Sequence, residues 1–193
     1  AAWIEENTTT EQRFDALGLH LPIAPGMGPA KLLWLRDKQP ERYRNTVALI
    51  QPKDFITLCL TGTLVTDRYG MKDLVHADTG VFNEWYADAL GLRRDLLPDI
   101  TTPWSVVGRT TAQQQEATGL PEGIPVACGT IDAFSGLIGS GGHDEGDVCD
   151  VSGTSEIIGL IRHAPPQPFE GFLCYPLVAG YSVVFGVTRA AGD

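Results

Sequence analysis

The residue pattern changes once along this chain, and the change decides what it can fold into. Up to Leu120, apolar residues recur at helical spacing between prolines and glycines placed as helix starts and stops. From Ile124 onward, β-branched runs separated by glycine take over. The 193 residues, with both patterns present, make one large domain or parts of two. The usual prior is about 100 to 200 residues per domain.

Pro29 suits the first turn of a helix, and Lys31-Leu32-Leu33-Trp34-Leu35 behind it reads as a strongly buried helical segment. Pro40 opens another, expected to reach Ile50. Pro52 opens a third, in which Phe55/Cys59 and Ile56/Leu60 fall at i, i+4 before a stop at Gly62. The clearest periodicity is at Phe82, Trp85, Tyr86, Ala89 and Leu90, with Gly91 placed to end the helix. Thr110 and Gln113 have capping-box spacing, for a helix ending near Gly119. Ile124 to Cys128 reads as a buried strand and Ala133 to Ile138 as a helix of small residues. Asp147 to Val151 and Glu156 to Ile161 read as a hairpin across Ser152-Gly153-Thr154-Ser155, and Tyr181 to Val187 as a third strand. The glycine-rich run Gly139 to Gly146 is the best linker.

Lys and Arg number 14 against 24 Asp and Glu, a net charge of −10. So acidic a chain repels nucleic acid and anionic membrane, and neither is expected as a partner. No apolar run reaches the roughly 18 to 20 residues that span a bilayer. Glu5 and Glu6 stand where a leader would carry Lys or Arg, so a cytoplasmic protein is expected. Cys59, Cys128, Cys149 and Cys174 form no C-x-x-C pair and sit in apolar or strand-like settings, which favours buried reduced thiols. The histidines have no metal-ligand spacing, and Asp144, Glu145 and Asp147 lack EF-hand order, so no metal site is expected.

Asp132 follows a strand and a glycine at the mouth of a helix, where open α/β sheets place their ligands and a helix N-terminus favours a charged carboxylate. It suits a general base, and equally a helix N-cap. Gly153, Thr154 and Ser155 offer N–H groups and hydroxyls of the kind that hold phosphate, or form an ordinary hairpin turn. Gly26-Met-Gly-Pro-Ala-Lys31 resembles half of a phosphate loop but lacks its order.

Several pieces occur in a fixed order: Gly26-Met-Gly-Pro-Ala-Lys-Leu-Leu-Trp-Leu-Arg-Asp37, Pro52-Lys-Asp-Phe55, Leu60-Thr-Gly62, Thr66-Asp67, Gly119-Leu-Pro-Glu-Gly-Ile-Pro-Val126, Gly129-Thr-Ile-Asp132 and Gly153-Thr-Ser155. Together they resemble the FGGY carbohydrate kinases over nearly the whole chain. The resemblance implies a partial α/β fold of the actin-like ATPase, ribonuclease-H-like kind and transfer of phosphate from ATP, with Mg2+, to a sugar or polyol hydroxyl. It makes Asp132, in the G-x-x-D motif, the catalytic base, and Gly153, Thr154 and Ser155 nucleotide contacts. Gly192 matches a glycine near the nucleotide in relatives such as glycerol kinase. A homodimer is compatible with it.

The resemblance also carries departures. Trp3-Ile-Glu-Glu-Asn7 stands where many relatives read W-x-D-x-R, and Ala133 where glycerol kinases carry glutamine. A ketopentose, ketohexose or longer polyol is therefore expected rather than glycerol. Family members are much longer, so the chain reads as an internal segment. On that reading residues 1–142 are the latter part of the first domain and 143–193 the start of the second. The alternatives are an inactive fragment and a sugar-binding module without turnover.

Overall fold

Helix starts and stops in the computed structural model follow the chemistry of the terminal residues. The structure describes residues 1–21, 23–152, 156–164, 172–177 and 181–188. Two units divide the chain, Ala1–Thr130 and Ile131–Asp193. The first runs α1 (Ala2–Asn7), α2 (Thr10–Leu17), α3 (Gly28–Lys38), α4 (Pro40–Asn45), α5 (Pro52–Thr61), β1 (Val65–Asp67), α6 (Glu84–Ala89), a 3-10 turn at Arg94–Leu96, β2 (Asp99–Thr101), β3 (Val106–Arg109), α7 (Ala112–Thr118) and β4 (Pro125–Ala127).

Proline lies in the first turn of α3, α4 and α5, where a missing N–H costs no helical bond. Gly62 ends α5 at φ +74°, a left-handed conformation that glycine adopts without a Cβ penalty. β1 and β2 pair in parallel, and β3 and β4 antiparallel. A Cβ on Gly108 in β3 would lie 2.6 Å from Thr61 Cβ, so glycine lets this strand approach the end of α5. The apolar core of this unit includes Leu17, Leu32, Leu33, Met71, Leu74, Tyr86, Leu90 and Leu96.

Local sequence overreached in places. α4 stops at Asn45 rather than reaching Ile50. Thr46 is extended there, and the Arg93 guanidinium donates to the carbonyls of Tyr43, Arg44 and Thr46 at 3.0, 3.0 and 3.2 Å, a cationic cap from a distant loop. Trp34 is exposed although Leu32 and Leu33 are buried. Phe82 precedes α6, in a bridge with Val75. The cap of α7 is Thr111, not Thr110, whose buried hydroxyl instead donates to Pro121 O at 2.7 Å. β4 is largely exposed, and Cys59 is exposed rather than buried.

The second unit runs α8 (Asp132–Gly139), β5 (Val148–Ser152), β6 (Glu156–Arg162), β7 (Leu173–Pro176) and β8 (Ser182–Thr188). Its antiparallel sheet has the order β5-β6-β8-β7, with β7 a strand the sequence pattern did not signal. Phe134 of α8 packs edge-on against Tyr175 and Phe185, 6.0 and 6.4 Å between ring centres. The Gly139 to Gly146 stretch forms turns between α8 and β5, where Asp147 accepts the His143 and Asp144 N–H groups. Among the described residues, no helix is long and apolar enough to cross a membrane.

Within the first core, the Tyr86 hydroxyl is buried with no hydrogen-bond partner among the described residues, and burial pushes its pKa up to about 12. An orphaned buried hydroxyl is a cost of about 1–3 kcal/mol rather than a support. Tyr86→Phe is therefore expected to leave stability unchanged or raised, whereas Leu90→Ala, at a fully buried site, loses about 2–5 kcal/mol. Urea unfolding checks both. A loss above about 1 kcal/mol in Tyr86→Phe would show that the hydroxyl has a partner.

Candidate active site

Helix α5 turns a polar stripe inward. Asp54 and Thr57 are buried, while Phe55 and Ile56 are 54% and 57% exposed, the reverse of what the apolar periodicity suggests. Asp54 closes the first turn, its Oδ2 accepting the Gln51 N–H at 2.9 Å. Thr57 and Thr61 return their hydroxyls to carbonyls one turn back, those of Lys53 and Thr57. Lys53 then stands between two carboxylates, its Nζ 2.5 Å from Asp54 Oδ1 and 2.9 Å from Asp67 Oδ1. Both carboxylates are fully buried, and Asp67 is the last residue of β1.

The remaining bonds of this cluster reach two further segments. Asp67 Oδ2 accepts the Tyr69 N–H at 3.1 Å and the Thr130 hydroxyl at 2.9 Å. Lys53 Nζ lies 3.5 Å from the Cys128 carbonyl oxygen, and Gln51 Nε2 donates to Gly70 O at 2.7 Å. Burial pulls the Lys53 ammonium toward a lower pKa, but the hydrogen bonds and charges of Asp54 and Asp67 outweigh it and hold the pKa above lysine's ordinary value. Burial also pushes the Cys128 thiol up, against the opposing Lys53 charge.

Asp132 opens the second unit as the first residue of α8, with Ile131 as the N-cap. The structure thus corrects the N-cap alternative. The Asp132 carboxylate is exposed, and its Oδ1 accepts the N–H of Ala133 at 2.7 Å, leaving the other oxygen without a partner among the described residues. Gly153, Thr154 and Ser155 follow β5 and precede β6, whose ends pair at Ser152 and Glu156. These three residues, and Gly192, lie outside the described residues. Sequence reasoning quoted Lys53, Asp54 and Asp67 only as pieces of a pattern. A Lys-Asp pair at a helix start, facing a Thr-Asp at a strand end, is the signal that would have found them.

The profile of the FGGY family of carbohydrate kinases, N-terminal domain, matches residues 2–139. The chain belongs to the FGGY family. Among curated relatives, this family member is 28% identical over 169 residues to a probable L-xylulose kinase of Pasteurella multocida, covering 84% of this chain and 35% of that one. It is 25% identical over 203 positions to the xylulose kinase of Bacillus subtilis, covering 98% and 40%. The solved xylulose kinase of Rhodospirillum rubrum superposes with a TM-score of 0.87 at 22% identity, covering 99% of this chain and 39% of that one. The chain thus spans 35% to 40% of the length of these relatives. The superposition speaks for the fold, an α/β fold of the actin-like, ribonuclease-H-like class, present in part.

Removing the Lys53 charge would strand two buried carboxylates. Lys53→Met is expected to cost about 3–5 kcal/mol in urea unfolding at pH 7. Because the folded pKa is raised, the lysine's contribution is fully present below its unfolded value of about 10.4 and is lost as pH rises through the folded one. The stability gap between wild type and variant should therefore stay flat to about pH 10 and narrow above it. A gap below about 1 kcal/mol would mean that Lys53 is effectively a surface group.

Proposed function

We propose that this chain is the central part of an ATP-dependent carbohydrate kinase in which Asp132 is the general base. The observation that carries this is the Asp132 carboxylate in its G-x-x-D motif, exposed in the first turn of α8 with one oxygen unpartnered among the described residues. That oxygen can accept the proton of a sugar hydroxyl. The hydroxyl oxygen then bonds to the γ-phosphorus as the bond to the β-phosphate bridging oxygen breaks, giving a sugar phosphate and ADP. Asp132 lies in the first turn of α8, at the positive end of the helix dipole.

ATP would supply the phosphoryl group, and Mg2+ would neutralise the charge on its phosphates. In this reading Gly153, Thr154 and Ser155 hold phosphate oxygens through backbone N–H groups and hydroxyls, and Gly192 leaves room for the nucleotide. Residues 1–142 form the latter part of the first kinase domain and 143–193 the start of the second. The likeness to proteins named xylulose kinase supports a ketopentose, ketohexose or polyol as substrate.

The test is a panel of ketoses and polyols assayed with MgATP on the complete kinase. Asp132→Asn is expected to lower kcat by roughly 10² to 10⁴ with little change in sugar KM. A fall below about threefold would remove Asp132 from the chemistry. Gly153→Val acts elsewhere, by filling the space of a close backbone approach, and should raise the KM for ATP far more than that for sugar. Equal rises in both would point to a folding defect.

A further inference from the structure

The Lys53 cluster performs no step of the proposed reaction, yet its burial is costly. Ion pairs taken out of water are often no better for stability than apolar residues of the same volume. What the charges add is direction. Asp67 uses its two oxygens separately, Oδ1 toward Lys53 and Oδ2 toward the Tyr69 N–H and the Thr130 hydroxyl. Lys53, held by both carboxylates, brings its ammonium to 3.5 Å from the Cys128 carbonyl oxygen.

The segment Cys128 to Thr130 is thus gripped from several sides. Its backbone is also fixed by the Cys128 N–H on Ser105 O at 2.9 Å and the Gly129 N–H on Pro103 O at 2.8 Å. Cys128 is only 2% exposed. From Thr130 the chain runs through Ile131 directly to Asp132. The first unit therefore fixes the residue two positions before the proposed base through a charged group that cannot rotate freely.

We infer that Lys53 and Asp67 are positioning residues, which lock Cys128 to Thr130 and so fix the chain two residues before the Asp132 carboxylate. The inference rests on Asp132 being the general base. A misplacement of about 1 Å can cost on the order of 10²-fold in rate, so a rigid tether just upstream of the base matters to turnover. It also matters little to nucleotide affinity.

Thr130→Val tests this cleanly, since it removes the hydroxyl while keeping the shape. Asp67→Asn is the companion variant. The first readout is made on this chain, by following iodoacetamide labelling of each cysteine by peptide mass spectrometry. Cys128 should label at least about tenfold faster in Thr130→Val, while Cys149, buried in the second unit, stays slow. The second readout is made on the complete kinase. There kcat should fall about tenfold or more in Thr130→Val with the KM for ATP unchanged, and Thr130→Ser should restore it.

Unchanged Cys128 labelling overturns the inference. So does equal acceleration of Cys128 and Cys149, which would mean general loosening, and so does faster labelling with kcat intact. Should Asp67→Asn fail to fold, Thr130→Val decides alone. A wild-type kinase that turns over no sugar would instead sink the kinase reading, and the positioning role with it, whatever the labelling shows.

Discussion

Lys53 sits between two carboxylates that water does not reach, and the arrangement of the first unit follows from keeping all three charges satisfied. Two anions and one cation leave an excess negative charge, which only further donors can offset. The N–H groups of Gln51 and Tyr69 and the hydroxyl of Thr130 supply them. Those donors come from the start of α5, the turn after β1 and the last residue of the unit. Satisfying the charges therefore ties together segments far apart in sequence, and none can shift alone without exposing a buried charge to an apolar surrounding.

The same constraint explains the orientation of α5. A helix carrying Phe55, Ile56, Leu58 and Leu60 would by hydrophobicity alone turn that side inward. It turns the Asp54 and Thr57 side inward instead, because the Lys53 ammonium and Asp54 carboxylate need Asp67 and Gln51. The close approach of Gly108 to Thr61 fits this rotation. Downstream, the tethered Thr130 ends the first unit, and Asp132 follows it two residues later in sequence.

Much of the helical layout was legible in the sequence because it is written in local chemistry. Pro29, Pro40 and Pro52 in first turns, and Gly62 and Gly119 as stops, are one-residue signals that tertiary structure did not override. The order of motifs was legible for the same reason, and the family profile matches over residues 2–139. What was hidden depends on contacts between distant segments. The early end of α4 follows from Arg93, about fifty residues away, taking its carbonyls. The role of Lys53 required three segments to meet, and a periodicity that weighs apolar residues passes over a buried stripe made of charges and hydroxyls. β7 is short, carries Pro176 and has no alternation to announce it.

The central claim is that Lys53 and Asp67 act as one unit, and a double-mutant cycle on unfolding free energy tests it most directly. Lys53→Met, Asp67→Leu and the combined variant would be compared with wild type by urea denaturation at pH 7. If the pair is a single buried unit, Lys53→Met strands two carboxylates whereas the double change strands only Asp54, giving a coupling above about 2 kcal/mol. Single effects that add to within about 0.5 kcal/mol would contradict the account.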